Sequence, residues 1–429
     1  MDIKRVPLFC FRVWKRACIL GILILWGCAS VRIQENAVIK NLAVENFEEV
    51  WQVIQEKFIR SLPDTPEVKR ICKQKIIEQN IAACLDDPHA QYLSQEKWNT
   101  FQEDISQQFH GVGIILRREG NRGSIAEILP NTPAERSGAF RTGDVVVSID
   151  GKDVQGMPLD ALVEKVRGLA GTEVMLQVER DGIRQKPVTL TREEIIRSSV
   201  FVHYFAPDIV YIRIESFALH TGDEFFAAMM REKFTVAHPE WAHKYFIYDL
   251  RENKGGYAGI VNVMNSFFAD DLDDVLLTLR SRTHEEITTA GFFIWFMTVY
   301  GDTIGGVFSD VNPPIVLINE YTASAAEIFA GFLREERGAI LVGEKSYGKG
   351  SVQTIQELAN GDVMMLTTHE YFVGNSRIKI DKLGLTPDIT IPMPSNEYLA
   401  GISLGRTPDV SMDLPLKVAI ELLRMFQRH

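Results

Sequence analysis

The chain has 429 residues, 46% hydrophobic and 24% charged, which supports large buried cores and two or three domains. A net charge of −11 and an isoelectric point near 5.4, with no basic block, argue against nucleic-acid binding and favour peptide or protein partners. No C-x-x-C or H-E-x-x-H spacing occurs and the nine histidines are scattered, so no metal and no cofactor is predicted.

Residues 1–28 form a predicted export segment. Five basic residues precede the apolar run CILGILILW, and Gly27-Cys28 follows it, as in a signal sequence with a cleavage site. Leu25-Trp26-Gly27-Cys28 resembles a bacterial lipobox, in which Cys28 would receive lipid, although Trp26 is bulky for its position. A signal anchor and an ordinary cleaved signal peptide remain alternatives; the run is shorter than the ~20 residues of a spanning helix. All three predict an exported protein of the cell envelope, on the periplasmic or extracytoplasmic side.

Residues 29–108 are predicted to be a helical region, because apolar residues recur at spacings of three and four. The run VKRICKQKIIEQNIAACL is interpreted as a single helix. At a rise of about 1.5 Å per residue, Cys72 and Cys84 would then lie about 18 Å apart, and no disulfide is expected between them.

Residues 109–192 change to short alternating runs typical of strands, with one helical stretch, DALVEKVRG. This block resembles a bacterial PDZ domain in GVGI, in NTPAERSGAFRTGDVVVSIDGKDV and in GTEVMLQVERDG. A glycine loop can turn several N–H groups toward one anion, and the strand that follows can pair with a peptide. The ligand expected is a free chain end. The alternative is that the glycines only shape a corner of the sheet. The predicted peptide-binding residues are Gly111, Val112, Gly113 and Ile114.

From 193 to 398 strands alternate with helices, which predicts an α/β layer with a largely parallel sheet; 399–429 is a predicted C-terminal helical tail. In such sheets, loops at the carboxyl ends of strands form the active crevice. Three loops qualify: 249–256, 321–324 and 343–353. The second opens a helix with Ser324-Ala325-Ala326-Glu327, which by itself fits a capping box.

Together, the three loops resemble those of the carboxyl-terminal processing peptidases, or tail-specific proteases, which are Ser/Lys enzymes with a crotonase/Clp-protease-like core. The nucleophile of that family lies in a small-residue run before E-I, the base lies in F/Y-G-K-G, and a glutamine follows four residues later. The alignment falls on Ser324, Lys349 and Gln353. The resemblance runs from about Asn46 to Pro394 and includes LDDPHAQYLS, DLRENKGG and GLTPDI. The fold class implied is α/β and α+β multidomain.

The sequence departs from the family pattern in a few places. Thr322 and Ala326 replace serines that flank the nucleophile in many members, and Lys254 stands where proline is common. The segment 270–312, with its FFIWFM cluster, matches poorly; it either shapes specificity or packs, and packing is favoured.

The resemblance implies that Ser324 forms an acyl-enzyme after Lys349 removes its proton. A lysine acts as a base only when neutral, so Lys349 must lie in a dry pocket that lowers its pKa. Gln353 would orient the amine. Oxyanion donors are expected from the N–H of Ala325 and from that of Gly255 or Gly256.

Each assignment has a structural alternative: a helix cap for Ser324, an exposed hairpin position for Lys349, as for Lys345, and an ordinary strand residue for Gln353. Arg167, in KVRGLAG, resembles a regulatory PDZ arginine of some relatives, or is a surface arginine. His203 and His369 lie near no motif, which disfavours a Ser-His-Asp triad.

The sequence therefore predicts a serine endopeptidase that binds the apolar C-terminal tails of protein substrates. An inactive tail-binding scaffold is the first alternative, and intact catalytic residues argue against it. The second is a crotonase-like acyl-transfer enzyme, which would gain nothing from a domain that binds chain ends. A homo-oligomer is possible.

Overall fold

The structure is a computed structural model that describes residues 47–78, 80–206, 208–234, 244–292, 308, 312–403 and 407–426. Two compact units are present, one of residues 103–198 with 396–407 and one of the remainder. The predicted export segment with Cys28, and the residues FIWFM (293–297) of the segment 270–312, fall on residues that are not described.

The helices are α1 (Phe47–Lys57), α2 (Pro66–Ile77), α3 (Ile81–Leu85), α4 (Gln95–Ser106), α5 (Pro133–Ser137), α6 (Leu159–Val166), α7 (Thr221–Phe234), α8 (Ala258–Ser266), α9 (Ala325–Arg337), α10 (Asn396–Ser403) and α11 (Leu414–Phe426).

The first eleven strands are β1 (Gln91–Leu93), β2 (Gln108–Gly111), β3 (Ile114–Glu119), β4 (Arg122–Ile128), β5 (Val145–Ile149), β6 (Lys152–Asp153), β7 (Glu173–Arg180), β8 (Ile183–Arg184), β9 (Val188–Thr191), β10 (Glu193–Ile196) and β11 (Val200–Ala206). They are followed by β12 (Ile209–Ile214), β13 (Tyr245–Asp249), β14 (Val275–Arg280), β15 (Glu285–Thr289), β16 (Ile315–Ile318), β17 (Ile340–Gly343), β18 (Ser351–Glu357), β19 (Val363–Val373), β20 (Ile378–Lys379) and β21 (Ile389–Thr390).

The N-terminal helices correct one prediction. Cys72 and Cys84 form a disulfide, with Cα atoms 5.0 Å apart. The single helix was wrong because the chain turns after α2, and Asn80 caps a new helix by accepting the Ala83 N–H at 3.3 Å. Two helices joined by a tight turn bring the cysteines together, whereas one helix would hold them apart.

The unit of residues 103–198 and 396–407 contains a sheet in the order β3-β4-β5-β7-β8, with β6 and β9 at its side. The strands and the helix α6 predicted for this block are confirmed. Its core includes Val112, Ile125, Leu162 and Val178, all at most 2% exposed. β3 ends the sheet, so its outer edge pairs with no other described strand.

The other unit contains a six-stranded sheet in the order β11-β12-β13-β16-β17-β21. In this sheet β12, β13, β16, β17 and β21 pair in parallel with one another in that order, and β11 pairs antiparallel with β12. The continuous apolar runs IVYIRI and IVLI are buried throughout, as expected for parallel strands covered on both faces. The predicted α/β layer is confirmed.

A second sheet of this unit is antiparallel, in the order β1-β19-β14-β15, with β18 and β20 also on β19. β14 and β15 belong to the segment 270–312. Within it, Leu276, Leu277, Ala290 and Phe308 are buried in the main core, so these residues pack as favoured. Among the described residues, no helix combines the length and the hydrophobicity needed to cross a membrane.

Candidate active site

Three loops meet at one edge of the parallel sheet. They follow β13, β16 and β17, which are parallel neighbours, so their carboxyl ends lie side by side. The loops are hydrogen-bonded to one another: Ala323 N–H donates to Asn253 O at 2.9 Å, and Tyr347 N–H donates to Thr322 O at 2.9 Å. The sequence-based prediction that these loops come together is confirmed.

Ser324 occupies a strained backbone position. Its φ of 56° and ψ of −120° are unusual for a residue with a side chain, and α9 begins at the next residue. Gly255, at φ 102°, packs directly against this turn. A Cβ on Gly255 would lie 2.8 Å from Ser324 Cβ and 3.0 Å from Ala325 N. A glycine is therefore required where the first loop approaches the serine.

Glu327 joins the serine loop to the lysine loop. Its Oε2 accepts the N–H of Ser324 at 2.8 Å, as the capping box predicts, and the N–H of Lys349 at 2.9 Å. Its Oε1 accepts from Ser346 Oγ at 2.6 Å and from Gly348 N–H at 2.7 Å. Burial raises the pKa of this carboxyl, and the hydrogen bonds oppose that effect. The sequence showed Glu327 only as a cap; its partners in the second loop were missed.

Tyr371, on β19, makes a second link between the same loops. Its hydroxyl lies 3.2 Å from Ser324 O and 2.5 Å from Lys349 O. The side chain is 1% exposed, and burial raises its pKa well above the ordinary value. The backbones on either side of the two predicted catalytic residues are thus fixed by buried groups.

Lys349 is half-buried. In the described ranges, its ammonium has no hydrogen bond and no ion pair. Burial lowers the pKa of Lys349, while the charges of Asp87 and Glu327 act in the opposite direction. Lys345, four residues earlier, is exposed as predicted. The two lysines of this loop therefore occupy different environments, and only Lys349 has the environment that a neutral amine needs.

Asp87 and His89 are neighbours of Lys349 that residue-level reasoning missed. Asp87 is 7% exposed; its Oδ1 accepts the His89 N–H at 3.0 Å, and its Oδ2 is buried without a hydrogen bond from any described group. Burial and the charge of Lys349 lower the pKa of His89. Both residues belong to LDDPHAQYLS, one of the segments that resemble the family.

The Gln353 side chain is hydrogen-bonded to two neighbours on the antiparallel sheet. Its amide nitrogen donates to Ser351 Oγ at 3.0 Å and to Thr367 Oγ1 at 3.1 Å. Within the described chain, no hydrogen bond joins its side chain to Lys349. These contacts fix the glutamine on the face of β18 that carries Ser351.

The predicted oxyanion donors differ in availability. Gly255 N–H donates to Asn253 Oδ1 at 2.9 Å. In the part of the chain that is described, the N–H groups of Ala325 and Gly256 donate to no backbone acceptor. Gly256, at φ 143°, lies against Phe217 O, where a Cβ would approach to 2.4 Å. Ala325 N–H is the first donor of α9, at the positive end of the helix.

A buried ion network includes two residues of the first loop, Asp249 and Arg251. Arg251 donates to Asp249 and to Asp413, with the shortest distances 2.6 and 2.7 Å, and all three residues are 0% exposed. Burial by itself would raise the pKa of Asp249, but Arg251 and Arg213 hold it at about 2. Asp413 Oδ1 also accepts the Leu416 N–H at the start of α11. The network therefore ties the last helix to the first loop.

The predicted peptide-binding loop precedes the open edge of β3. Gly113 has a φ of 81°, and a Cβ there would lie 2.2 Å from Thr132; Gly111 would meet only the Phe109 ring, at 3.7 Å. The carbonyls of Val112 and Gly113 accept from Ala134 and Leu129, each at 2.9 Å. No backbone acceptor for the Val112 or Gly113 N–H occurs among the residues described. Ile114 begins β3.

Arg167 is partly exposed and contacts two residues of its own unit. It contacts Glu103 at 3.1 Å, and its guanidinium lies 5.1 Å from the centre of the Phe109 ring. Phe109 stands two residues before the glycine-rich loop. Arg167 is thus connected to the segment that leads into the predicted peptide site.

Known proteins share this architecture. Residues 208–391 match the model of peptidase family S41, and residues 124–180 match a PDZ domain model. A carboxy-terminal-processing protease of Bartonella bacilliformis is 31% identical over 379 residues, covering 87% of this chain and 80% of that protein. The carboxy-terminal processing protease CtpA of Bacillus subtilis is 27% identical over 385 residues, covering 90% of this chain and 77% of that protein.

A solved structure agrees at the level of the fold. A Bacteroides fragilis protein described as an S41 protease superimposes with a TM-score of 0.50 at 16% identity, covering 87% of this chain and 94% of that one. The sequence matches establish that the chain belongs to peptidase family S41, as a serine-type carboxyl-terminal processing peptidase with a PDZ domain.

Proposed function

We propose that Ser324 is the nucleophile and Lys349 the general base of an endopeptidase that cleaves proteins after recognising their C-terminal tails. One observation carries the assignment: the N–H groups of both residues donate to the same oxygen, Glu327 Oε2. A shared acceptor brings the two backbones close together. The strained Ser324 turn and the unpaired Lys349 ammonium add the features that such a pair requires.

In the proposed reaction, neutral Lys349 accepts the Ser324 hydroxyl proton while Oγ attacks the scissile carbonyl carbon. The tetrahedral intermediate collapses to an acyl-enzyme, and the departing amine takes the proton from Lys349. Water, deprotonated by the same lysine, then attacks the ester; the intermediate collapses to release the acid, and the lysine returns its proton to Ser324 Oγ. No cofactor takes part.

The oxyanion would be stabilised by the N–H groups of Ala325 and Gly256. Both are without a backbone acceptor in the described chain, whereas Gly255 already donates to Asn253. We therefore assign Gly255 to the close approach beside Ser324 and Gly256 to the donor role. Gln353 would act through Ser351 and Thr367, as a positioning residue.

Tail recognition is assigned to the loop of Gly111, Val112, Gly113 and Ile114. The N–H groups of Val112 and Gly113 would receive the terminal carboxylate, and the free edge of β3 would pair with the tail. Arg167, through its contact with Phe109, would link binding of the tail to activation of the peptidase.

Export to the cell envelope is proposed from the N-terminal segment, with attachment by lipid at Cys28 or by a signal anchor. The Cys72–Cys84 disulfide supports this location, because disulfides persist in oxidising compartments. Assembly into a homo-oligomer remains a proposal.

The proposal is tested with an unfolded reporter protein that ends in an apolar tail, incubated with the full chain and with Ser324→Ala and Lys349→Ala. Cleavage should be lost in both variants and reduced when the tail's last residues are made charged. If the variants cut as well as the wild type, or if the wild type binds the tail without cleaving it, the chain is a tail-binding module.

A further inference from the structure

Two histidines and a glutamate converge on the antiparallel sheet, outside the catalytic loops. His284 lies in the turn between β14 and β15, Glu286 lies on β15, and His369 lies on β19. One potential ligand atom from each residue lies within 4.8 Å of the other two. The His284 Nε2 and Glu286 Oε1 atoms are 2.9 Å apart, and the two imidazole rings are centred 6.3 Å apart.

The register of the sheet explains the convergence. Glu286 pairs with Leu279, which pairs with Tyr371, so these three side chains share one face. His369 precedes Tyr371 by two residues and therefore faces the same side. The turn places His284 beside His369, because Ser281 N–H donates to the His284 carbonyl at 2.9 Å.

Hydroxyl groups orient both imidazoles. His284 Nδ1 lies 3.0 Å from Ser281 Oγ, and His369 Nδ1 lies 2.8 Å from Thr368 Oγ1. A metal-binding histidine commonly donates its second ring N–H to an oxygen, which fixes the tautomer and the ring orientation. Each Nδ1 here lies within hydrogen-bonding distance of a hydroxyl oxygen, an arrangement that would leave Nε2 for a metal ion.

The charges around the cluster leave the carboxylate available. In the described residues, the ion pair of Glu286 is with His284 alone. Arg282, in the same turn, donates instead to the carbonyls of Gln55 and Glu56. Arg280 pairs with Glu370. No arginine of this hairpin competes for Glu286.

We propose that His284, Glu286 and His369 bind a divalent transition-metal ion of the Zn²⁺ class. Two imidazole nitrogens and one carboxylate oxygen form a donor set that such ions favour, with the remaining coordination position left to water. Sequence reasoning did not find this site because its ligands come from a turn and two strands rather than from a short motif.

A bound ion would connect the β14–β15 turn to β19. His369 stands about 7 Å along the strand from Tyr371, whose hydroxyl contacts the Ser324 and Lys349 loops. Metal binding to the folded state alone should therefore raise the unfolding temperature.

The experiment is calorimetric titration of the full chain with Zn²⁺, beside Glu286→Gln, His369→Gln and the control His110→Gln. His110 is an exposed strand histidine in the other unit. We expect one site in the wild type, at least tenfold weaker binding in the first two variants, and a change within about twofold in the control. The Zn²⁺-dependent rise in unfolding temperature should follow the same order.

The proposal is overturned if the wild type does not bind Zn²⁺, or if Glu286→Gln and His369→Gln bind it with wild-type affinity, which would place the ion on other groups such as Cys10, Cys18 or Cys28. All substituted side chains are exposed or half-buried, so circular dichroism should show folded variants.

Discussion

Arg251 and Lys349 lie in loops at the same edge of the parallel sheet but differ in their ion pairing. Arg251 is fully buried and paired with two carboxylates, whereas Lys349 is half-buried and unpaired among the described residues. A paired buried charge remains ionised and holds structure together; an unpaired one has a perturbed pKa and is available for chemistry. The difference in pairing separates a structural cation from a proposed catalytic one.

The largest expected effect comes from removing the unpaired charge. Lys349→Met should lower kcat/KM by at least about a thousandfold, because the serine loses its base. Its unfolding temperature should equal or exceed that of the wild type, since an ammonium with a lowered pKa disfavours the folded state at neutral pH. Lys345→Met, in the same loop but exposed, is the control and should retain full activity. If Lys349→Met is folded and active, Lys349 is not the general base.

Removing a partner from the paired charge should affect stability first. Asp413→Ala leaves Arg251 with one carboxylate and removes an acceptor at the start of α11, so it should lower the free energy of unfolding by about 3–5 kcal/mol. Glu421→Ala, exposed on α11, should leave the urea midpoint close to that of the wild type. The prediction is contradicted if the two variants have the same urea midpoint.

The pH dependence sharpens the contrast further. Protonated Lys349 cannot accept a proton, so kcat/KM should rise with pH through the lysine's pKa and reach a plateau below the ordinary value of 10.5. The charge of Asp87 raises that pKa, so Asp87→Asn should shift the rise to lower pH. A rise that stays in place in Asp87→Asn would show that this carboxylate does not act on the base.

The smallest expected effect comes from a change in the proposed tail-binding loop, which should alter KM and leave kcat nearly unchanged. Gly113→Ala introduces a Cβ 2.2 Å from Thr132 at a left-handed backbone position, so it should distort the proposed tail-binding loop. We expect KM for a tailed substrate to rise about tenfold with kcat little changed. A fall in kcat with unchanged KM would count against the assignment.

Much of this organisation could be predicted from the sequence. Strand-then-helix periodicity located the three loops, and parallel pairing made them meet. The Glu327 half of the capping box was predicted correctly, because its carboxylate accepts the Ser324 N–H. These features could be predicted because hydrophobic periodicity and capping patterns depend on residues only a few positions apart.

The missed features depend on contacts between distant parts of the chain. Glu327 receives N–H groups from a loop about twenty residues away, and Asp87 lies near a lysine from another element. The disulfide was excluded because a helix was extended through Asn80. The alignment with the family gave Gln353 a role. Its hydrogen bond to Thr367 could not be predicted, because it depends on the pairing of β18 with β19.

The most direct measurement is labelling with a fluorophosphonate, which reacts with activated serines, followed by mass spectrometry of the modified peptide. Labelling should occur on Ser324 in the wild type and should be lost in Lys349→Met but retained in Lys345→Met. Labelling of a different serine, or equal labelling of Ser324 in Lys349→Met, would contradict the Ser324/Lys349 assignment.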